Sequence, residues 1–330
     1  MKLLTRIFAL SLAVICMMGI TISASAAKST LLSKLSSKSV TNITSARTIK
    51  QDLVVDEGKT LYVRNGGVLY VNTGATLTLK GDMKIANGGA VYVRGNIIVN
   101  DSSLLSCSGK IKILSSGSVK LDGRLWVNAT GNINGKGKIY VNDSFSDIRY
   151  RGRITAKLVA PKPVRMNGAT YVGGILIVNK QYSLPENYGS GLTDEAYNAY
   201  TKMKKASGHN MSIVSGFRSY QKQQNTFNYW CNKDGYDKAV TYSALPGHSE
   251  HQTGLAMDIT SLSQTYANTA EGKWLAANCH KYGFIIRYPK GKTEITGYIY
   301  EPWHIRYLGT DIAKMVYDSG LTLEEFLGVA

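Results

Sequence analysis

Two short stretches of this sequence place metal-binding and acid–base side chains close together. The first contains His251 and Asp258, and the second contains Glu301 and His304. Two imidazoles, one carboxylate and an open coordination position suit a catalytic zinc ion, which lowers the pKa of its bound water to roughly 7. A carboxylate beside that water, such as Glu301, can take its proton and later deliver it to a leaving amine.

The local sequence predicts how these side chains are positioned. Apolar residues alternate with small or polar ones over residues 255–260, which predicts a strand with Asp258 on the face opposite the apolar set. Glu301 and His304 cannot share a face of a regular strand, because an odd number of positions separates them. Pro302 interrupts the hydrogen-bond ladder and permits a bend that brings them together.

Longer motifs surround these residues. The pattern S-x-H-x-x-G-x-A-x-D covers Ser249–Asp258, E-P-W-H covers Glu301–His304, and S-G-[YF]-R-S-Y-x-x-Q covers Ser215–Gln223. Together they resemble the VanY-like D-alanyl-D-alanine carboxypeptidases, and the resemblance spans about residues 174–328 in order. Further similar segments are Leu245–Gly254 and Tyr282–Pro289.

The resemblance implies an assignment for each site residue. It implies that zinc is bound by His251, Asp258 and His304, with Glu301 as general base and acid. It implies an α+β zinc peptidase domain, an antiparallel sheet with helices, over residues 174–330.

The resemblance also implies substrate-binding residues. These are Arg218, which binds the substrate or the developing oxyanion, together with Ser249 and Gln223. Because peptide hydrolysis builds negative charge on the scissile carbonyl oxygen, a fixed guanidinium in a dry cleft can stabilise it. An ordinary surface ion pair is the alternative interpretation of Arg218.

The implied activity is that of a zinc-dependent metallo-carboxypeptidase that removes the C-terminal residue of peptidoglycan stem peptides. D,D-carboxypeptidases acting on pentapeptides and L,D-carboxypeptidases acting on tetrapeptides share these motifs, so both remain open. A non-catalytic wall-binding or adhesive protein with a degenerate peptidase domain is a second class of hypothesis. The intact set of ligands and base argues against degeneracy.

Four helices are predicted within residues 174–330, two of them from capping residues. Thr193 can cap one helix, another follows Ser219, a third runs from about Ala270 to His280, and a capping box begins at Thr322. The apolar run Ile175–Val178 predicts a buried strand.

A repeat precedes this domain over residues 51–145. Short alternating segments recur at a constant interval, in one series through Leu69, Met83 and on to Ile139, and in a second from Leu77 to Ile133, with turn residues between them. The pattern favours a β-solenoid with two strands per coil, in which one coil spans the interval from Leu69 to Met83. A meander of hairpins is the alternative. Residues 27–50 and 146–173 are interpreted as linkers.

Residues 1–26 have the layout of a secretory signal peptide. Lys2 and Arg6 precede the apolar run Ile7–Ile22, and Ala24-Ser25-Ala26 offers a cleavage site. The prediction is a secreted or cell-wall-associated protein with no transmembrane segment after cleavage. Cleavage leaves three cysteines, for which a Cys231–Cys279 bridge and free thiols are both open.

The positive charge belongs to the N-terminal half. Residues 1–173 contain 24 Lys and Arg against 8 Asp and Glu, whereas residues 174–330 contain 15 against 14. Behind a signal peptide, anionic cell-wall polymers or membrane headgroups are better candidate partners for such a surface than nucleic acid. A merely soluble cationic surface is the alternative.

Overall fold

The computed structural model describes residues 30–330. The predicted signal peptide over residues 1–26, and the first part of the predicted linker, lie outside the described residues. Two regions with different architectures follow one another along the described chain.

The N-terminal region is a three-sided β-solenoid. Its strands form three parallel sheets of seven, six and six strands, and from β2 onward consecutive strands enter the three sheets in turn. Parallel pairing excludes the meander of hairpins, whose neighbouring strands would be antiparallel. The strands are β1 Thr30–Leu31, β2 Val40–Ile43, β3 Ala46–Ile49, β4 Leu53–Val55, β5 Thr60–Val63, β6 Val68–Val71, β7 Thr76–Leu79, β8 Asp82–Ile85, β9 Ala90–Val93, β10 Asn96–Val99, β11 Leu104–Cys107, β12 Lys110–Ile113, β13 Ser118–Leu121, β14 Arg124–Val127, β15 Asn132–Gly135, β16 Lys138–Val141, β17 Ile148–Tyr150, β18 Arg153–Ile154 and β19 Lys157–Val159.

The solenoid prediction is confirmed, but the predicted coil with two strands is wrong. Val91 pairs with Leu69 in the preceding coil and with Ile111 in the following one, whereas coils of two strands would pair it with Leu77 and Leu105. The turns between strands alternate in length from β7 to β16, so the sequence pattern repeats every two strands. Three strands are nevertheless needed to close one coil around an apolar interior.

The solenoid also extends into both predicted linkers. β2 and β3, within residues 27–50, pair with β5 and β6, and β17 and β19, within residues 146–173, pair with β14 and β16. The strands of the first segment were not predicted because its composition is polar. Only a few of its residues, such as Ile43 and Ile49, face the interior.

The C-terminal region is an α+β fold, as predicted. A small antiparallel sheet, β20-β21-β22, precedes a four-stranded antiparallel sheet of order β23-β24-β26-β25. The strands are β20 Val164–Met166, β21 Ala169–Val172, β22 Ile175–Ile177, β23 Ile213–Ser215, β24 Ala256–Ile259, β25 Phe284–Tyr288 and β26 Glu301–Tyr307. The helices are α1 Asp194–Ser207, α2 Tyr220–Asp234, α3 Tyr236–Ala239, α4 Ala270–Asn278, α5 Thr293–Thr296, α6 Thr310–Ser319 and α7 Leu323–Leu327.

The predicted caps at Thr193 and Thr322 are confirmed by their hydrogen bonds, and the helix predicted to follow Ser219 is capped by that residue. The side chains of Thr193, Ser219 and Thr322 accept from backbone N–H groups in the first turns of α1, α2 and α7. Glu325 completes the predicted capping box. The helix predicted to end near residue 280 ends instead at Asn278, where a short 3-10 helix continues the chain.

One face of the larger sheet packs on helices, which leaves the other face for polar residues. Met257 and Ile259 of β24 and Ile305 of β26 join the side chains of Tyr200 and Met203 from α1 in one buried apolar cluster. Residues between them on the same strands therefore point to the opposite face.

The two regions meet through buried contacts. The ring of Phe145, at the C-terminal end of the solenoid, lies 5.2 Å from that of Phe326 in α7. The Tyr150 hydroxyl donates to Asp318 over 2.8 Å, and its backbone N–H donates to Asp311 over 2.9 Å. The apolar interior of the solenoid is thus continuous with part of the C-terminal core.

Disulfides and membrane spans are both absent from the described part of the chain. Cys107, Cys231 and Cys279 are free thiols. No helix within residues 30–330 combines the length and the hydropathy needed to cross a bilayer.

The close stacking of the coils can be tested by adding a methyl group between two of them. A Cβ atom added at Gly95 would lie 2.1 Å from the carbonyl oxygen of Ala75 and 2.2 Å from that of Asn72, both in the preceding coil. We therefore expect Gly95→Ala to lower the free energy of unfolding by about 1–3 kcal/mol, measured by denaturant titration of the full chain.

Gly191→Ala is the matched control, because an added Cβ there meets nothing within 4 Å. We expect its effect to stay within about 0.5 kcal/mol. Equal losses from the two variants would contradict the stacking described here.

Candidate metal site and catalytic cleft

His251 is positioned by a tight turn that leads into β24. It lies in the 3-10 helix Glu250–Thr253, which ends at Gly254 in the left-handed conformation, φ 71°. A Cβ at this position would lie 2.1 Å from the carbonyl oxygen of Gly191, so only glycine fits. The Nδ1 atom of His251 is 2.8 Å from the carbonyl oxygen of Gly216, which can only accept. The proton therefore resides on Nδ1, and Nε2 is free to bind a metal.

The structure brings the three predicted metal ligands together. Asp258 and His304 are paired across β24 and β26, so their side chains share one face of the sheet. The Nδ1 atom of His304 is 3.0 Å from Asp258 Oδ1, and the Nε2 atom of His251 is 3.2 Å from Asp258 Oδ2. Each residue offers one ligand atom, all within 4.8 Å of one another and all on buried side chains.

A bulge in β26 brings Glu301 to the same place. Ile286 pairs with Ile305 and Tyr288 pairs with Glu301, so the stretch of β26 between these pairs is longer than the facing stretch of β25. The extra residues, which include the proline, change the strand alternation. As a result Glu301 Oε2 lies 3.6 Å from His304 Nδ1, although a regular strand would place the two side chains on opposite faces.

The ionisation of these groups reflects burial and mutual proximity. Burial raises the pKa of Glu301 to about 8, with His304 opposing the rise and Asp258 adding to it. Burial by itself favours the neutral His304 ring, but the neighbouring carboxylates of Asp258 and Glu250 outweigh it and raise the pKa of His304 to about 9. Burial would also raise the pKa of Asp258, yet His251 and His304 hold that pKa well below its usual range.

The residues present fit a zinc ion. The two carboxylate oxygens of Asp258 face the rings of His251 and His304 on buried side chains, and a buried carboxylate is costly unless a cation is near. Two imidazole nitrogens and one carboxylate oxygen are a common ligand set of catalytic zinc, which keeps a further position open for water or substrate.

Arg218 faces the same cavity as the three predicted metal ligands, which are called the metal cluster below. Its Nη1 donates to Gln223 Oε1 over 2.8 Å, and its Nη2 donates to Ser215 Oγ over 3.1 Å. Burial lowers the pKa of Arg218, whereas the carboxylates of Asp258 and Glu301 raise it. The guanidinium remains charged because its ordinary pKa is above about 12.

Gln223 and Ser249, the two residues predicted to help Arg218 bind substrate, lie in different surroundings. Gln223 is fully buried; its amide oxygen accepts from Arg218 and its amide nitrogen donates to the carbonyl oxygen of Ala244 over 2.6 Å. Both ends are thus used within the protein, so Gln223 holds Arg218 and does not itself face substrate. Ser249 lines the cavity.

The sequence analysis missed a buried group of four charged residues behind the cluster. Glu250 and Glu324 accept from Arg287, and Glu250 also accepts from Arg306. All four side chains are almost completely buried. One signal was present: an arginine within the apolar strand Phe284–Tyr288 requires a buried anionic partner.

The other three histidines lie outside this cluster. His248 Nδ1 is 2.8 Å from the carbonyl oxygen of Asn179, and the ring of His280 stacks on Tyr317 at 3.7 Å. Neither these residues nor His209 belongs to the metal-ligating group found within residues 30–330.

A cleft of about 680 Å³ opens beside the cluster. Lys222, Thr226 and Trp230 line it from one face of α2, since residues at this spacing lie above one another on a helix. The Trp230 ring meets the Tyr242 ring edge-on at 5.4 Å. The cleft is therefore polar near Arg218 and aromatic farther along the helix.

Known proteins share this C-terminal region. The family model VanY, D-alanyl-D-alanine carboxypeptidase, matches residues 189–310. A Bacillus subtilis (strain 168) protein named as a carboxypeptidase, YodJ, is 43% identical over 180 residues, which are 46% of this chain and 66% of that protein. The chain thus spans slightly less than two thirds of this relative.

Two further similarities have higher coverage of the matched protein. The bifunctional D-Ala-D-Ala dipeptidase and D-Ala-D-Ala carboxypeptidase VanXYC of Enterococcus gallinarum is 33% identical over 145 residues, 41% of this chain and 76% of that protein. The solved structure of the LdcB LD-carboxypeptidase has 39% sequence identity and a TM-score of 0.46, and the match covers 51% of this chain and 94% of that chain.

Zinc affinity should fall with decreasing pH. In the metal-free chain the pKa of His304 is raised to about 9, so at neutral pH its ring carries a proton that zinc must displace. The pKa of His251 is lowered by burial, so this ring is already neutral. We expect the apparent affinity to fall by up to about tenfold per unit between about pH 8 and pH 6, measured by chelator competition. An affinity independent of pH in this window would contradict the assignment.

Proposed function

Because this chain belongs to the VanY family of D-alanyl-D-alanine carboxypeptidases, we propose that it is a zinc-dependent carboxypeptidase. Its proposed substrates are peptidoglycan stem peptides, from which it removes the C-terminal residue. The observation that supports this most directly is the buried cluster of His251, Asp258 and His304 beside Glu301.

His251, Asp258 and His304 are proposed to hold the metal through Nε2, a carboxylate oxygen and Nδ1, respectively. Bound zinc lowers the pKa of a water molecule to roughly 7 and polarises the scissile carbonyl. The surrounding residues keep the ligands in place, since the His251 ring is fixed by a carbonyl oxygen and the other two ligands lie on paired strands.

Glu301 is proposed as the general base and acid. Its carboxylate lies 3.6 Å from a ligand atom of His304 and is almost completely buried. In the metal-free site burial raises the pKa of this carboxyl group to about 8, and a bound divalent cation would lower it toward neutral pH, where the group can both accept and donate a proton. It can accept the proton of the attacking water and return it to the departing amine.

Arg218 and Ser249 are proposed to bind the substrate. The guanidinium of Arg218 is held by Ser215 and Gln223, so it is preorganised to face negative charge on the scissile carbonyl oxygen or the terminal carboxylate. Gln223 acts through Arg218 in this proposal.

The catalytic proposal is tested by Glu301→Gln. This change keeps the size of the side chain but removes the base, so we expect roughly a hundredfold or greater loss of kcat with zinc content unchanged. Activity is measured by mass spectrometry on stem pentapeptide and tetrapeptide. Glu294→Gln, on an exposed glutamate of α5, is the matched control and should retain activity.

The same assay separates the two specificities. Loss of terminal D-alanine from the pentapeptide supports the D,D-activity proposed here, whereas trimming of the tetrapeptide alone supports the L,D-alternative. A Glu301→Gln variant with undiminished hydrolysis would reject this mechanism, and a full biological effect without hydrolysis would favour the wall-binding alternative.

The solenoid is proposed to hold the enzyme near anionic cell-wall polymers after export, in a chain divided into a repeat domain and a peptidase domain that begins near residue 174. Lys120 and Lys138 are exposed on neighbouring strands, β13 and β16, and line a shallow groove with Tyr140. Such a surface attracts polyanions at low ionic strength, and salt screens the attraction.

Charge reversal tests this attachment in the full chain. We expect the double variant Lys120→Glu, Lys138→Glu to reduce retention on isolated cell walls at low salt by severalfold. The wild-type chain should elute as salt rises to about 1 M, where the Debye length is about 3 Å. The control pair Lys202→Glu, Lys205→Glu on α1 should retain binding, and absence of wild-type retention at low salt would reject the proposal.

A further inference from the structure

The two carboxylate oxygens of Glu250 have different surroundings. Its Oε1 atom accepts from Arg287 Nε over 2.7 Å and from Arg306 Nη1 over 2.6 Å. Its Oε2 atom is buried and has no hydrogen-bond partner. Because Oε1 already receives two guanidinium donors, Oε2 is the atom left for a further donor.

The nearest unsatisfied donor is the ring of His304. His304 Nε2 is buried, has no hydrogen-bond partner of its own, and lies 3.6 Å from Glu250 Oε2. The other ring nitrogen, Nδ1, points to Asp258 in the metal cluster. Two buried, unpartnered atoms of complementary chemistry therefore face each other on the side of the ring away from the ligand atoms.

The His304 ring also has limited freedom to turn. The Tyr288 ring lies 4.9 Å away on one side, and the His251 ring meets it edge-on at 4.9 Å. Packing thus restricts the ring plane. Packing alone, however, does not decide which of the two nitrogens carries the proton.

We propose that Glu250 is a positioning residue for His304, which holds the proton on Nε2 and leaves the Nδ1 lone pair directed at the metal. Arg287 and Arg306 in turn hold Glu250 by its other oxygen. The inference rests on the proposed function only in that His304 is taken as a metal ligand. Partners that orient a histidine ligand in this way typically contribute about 10- to 100-fold to metal affinity.

Glu250→Gln is the informative variant. The oxygen of the glutamine amide must face the two arginines, since they can only donate, and this places the NH₂ group toward His304 Nε2. The variant is nearly isosteric, yet it presents a donor where His304 needs an acceptor. We therefore expect zinc affinity to fall by about 10- to 100-fold, measured on the full chain by competition with a chelator.

Glu324→Gln is the matched control. Glu324 belongs to the same buried group and accepts from two nitrogens of Arg287, and within residues 30–330 the ion pairs of His304 are with Glu250, Asp258 and Glu301 instead. This variant removes an equally buried charge and should lower thermal stability, while zinc affinity stays within about threefold of wild type. Thermal unfolding of both variants in the metal-free state gives the size of the purely structural effect.

The outcomes separate the inference from the proposed function. Weaker zinc binding in Glu250→Gln but not in Glu324→Gln supports the positioning role. Equal losses in both variants, or none in either, overturn it while leaving the zinc enzyme intact. If Glu250→Gln does not fold, Glu250→Asp provides the second test, because a shorter carboxylate keeps the charge but not the reach; unchanged zinc affinity there also overturns the inference. A wild-type chain that binds no zinc rejects the proposed function itself.

Discussion

The register between β24 and β26 is the constraint on which the site depends. It places Asp258 opposite His304 on one face of the sheet, while Met257 and Ile305 pack against helices on the other. A slip of a single position would turn the polar set into the apolar core and the apolar set into the cleft. The hydrophobic packing of α1 on the sheet therefore fixes the geometry of the proposed metal ligands as well as the stability of the fold.

Whether a feature of the fold or the site could be predicted from the sequence depended on how far apart along the chain the interacting residues lie. Features set by neighbours in sequence were predicted correctly, including the caps at Thr193 and Thr322, the helix after Ser219 and the strand that contains Asp258. The convergence of His251, Asp258 and His304 was predicted from motifs together with a family resemblance. Spacing alone could not have brought residue 304 to residue 258.

Features set by contacts across the chain were missed or wrong. The predicted number of strands per coil was wrong because alternating turn lengths give the sequence a period of two strands. The true number, three, depends on how the chain closes around its core. Gln223 was assigned to substrate because the motif does not reveal that its amide is used by Arg218 and Ala244. The partners of Arg287 lie far from it along the chain on either side, so no local pattern identified them.

The buried charged group links distant parts of the chain to the metal cluster. Two glutamates and two arginines balance one another, and removal of one partner from such a group commonly costs about 3–5 kcal/mol. Glu324 on α7 forms an ion pair with Arg287 on β25. Arg287 also pairs with Glu250, which lies in the same turn as His251. Through this pairing α7 is joined to the sheet that carries the site.

The contact between Phe145 and Phe326 has a mechanical consequence. A sheet of seven strands spaced about 4.8 Å apart is a rod about 30 Å long, and its end is joined to the C-terminal region by core packing and hydrogen bonds. Such contacts restrict rotation of the solenoid relative to the C-terminal region. If the rod lies along a polymer surface as proposed, the mouth of the cleft would point in one fixed direction, and only substrate within a narrow arc around the rod would reach it.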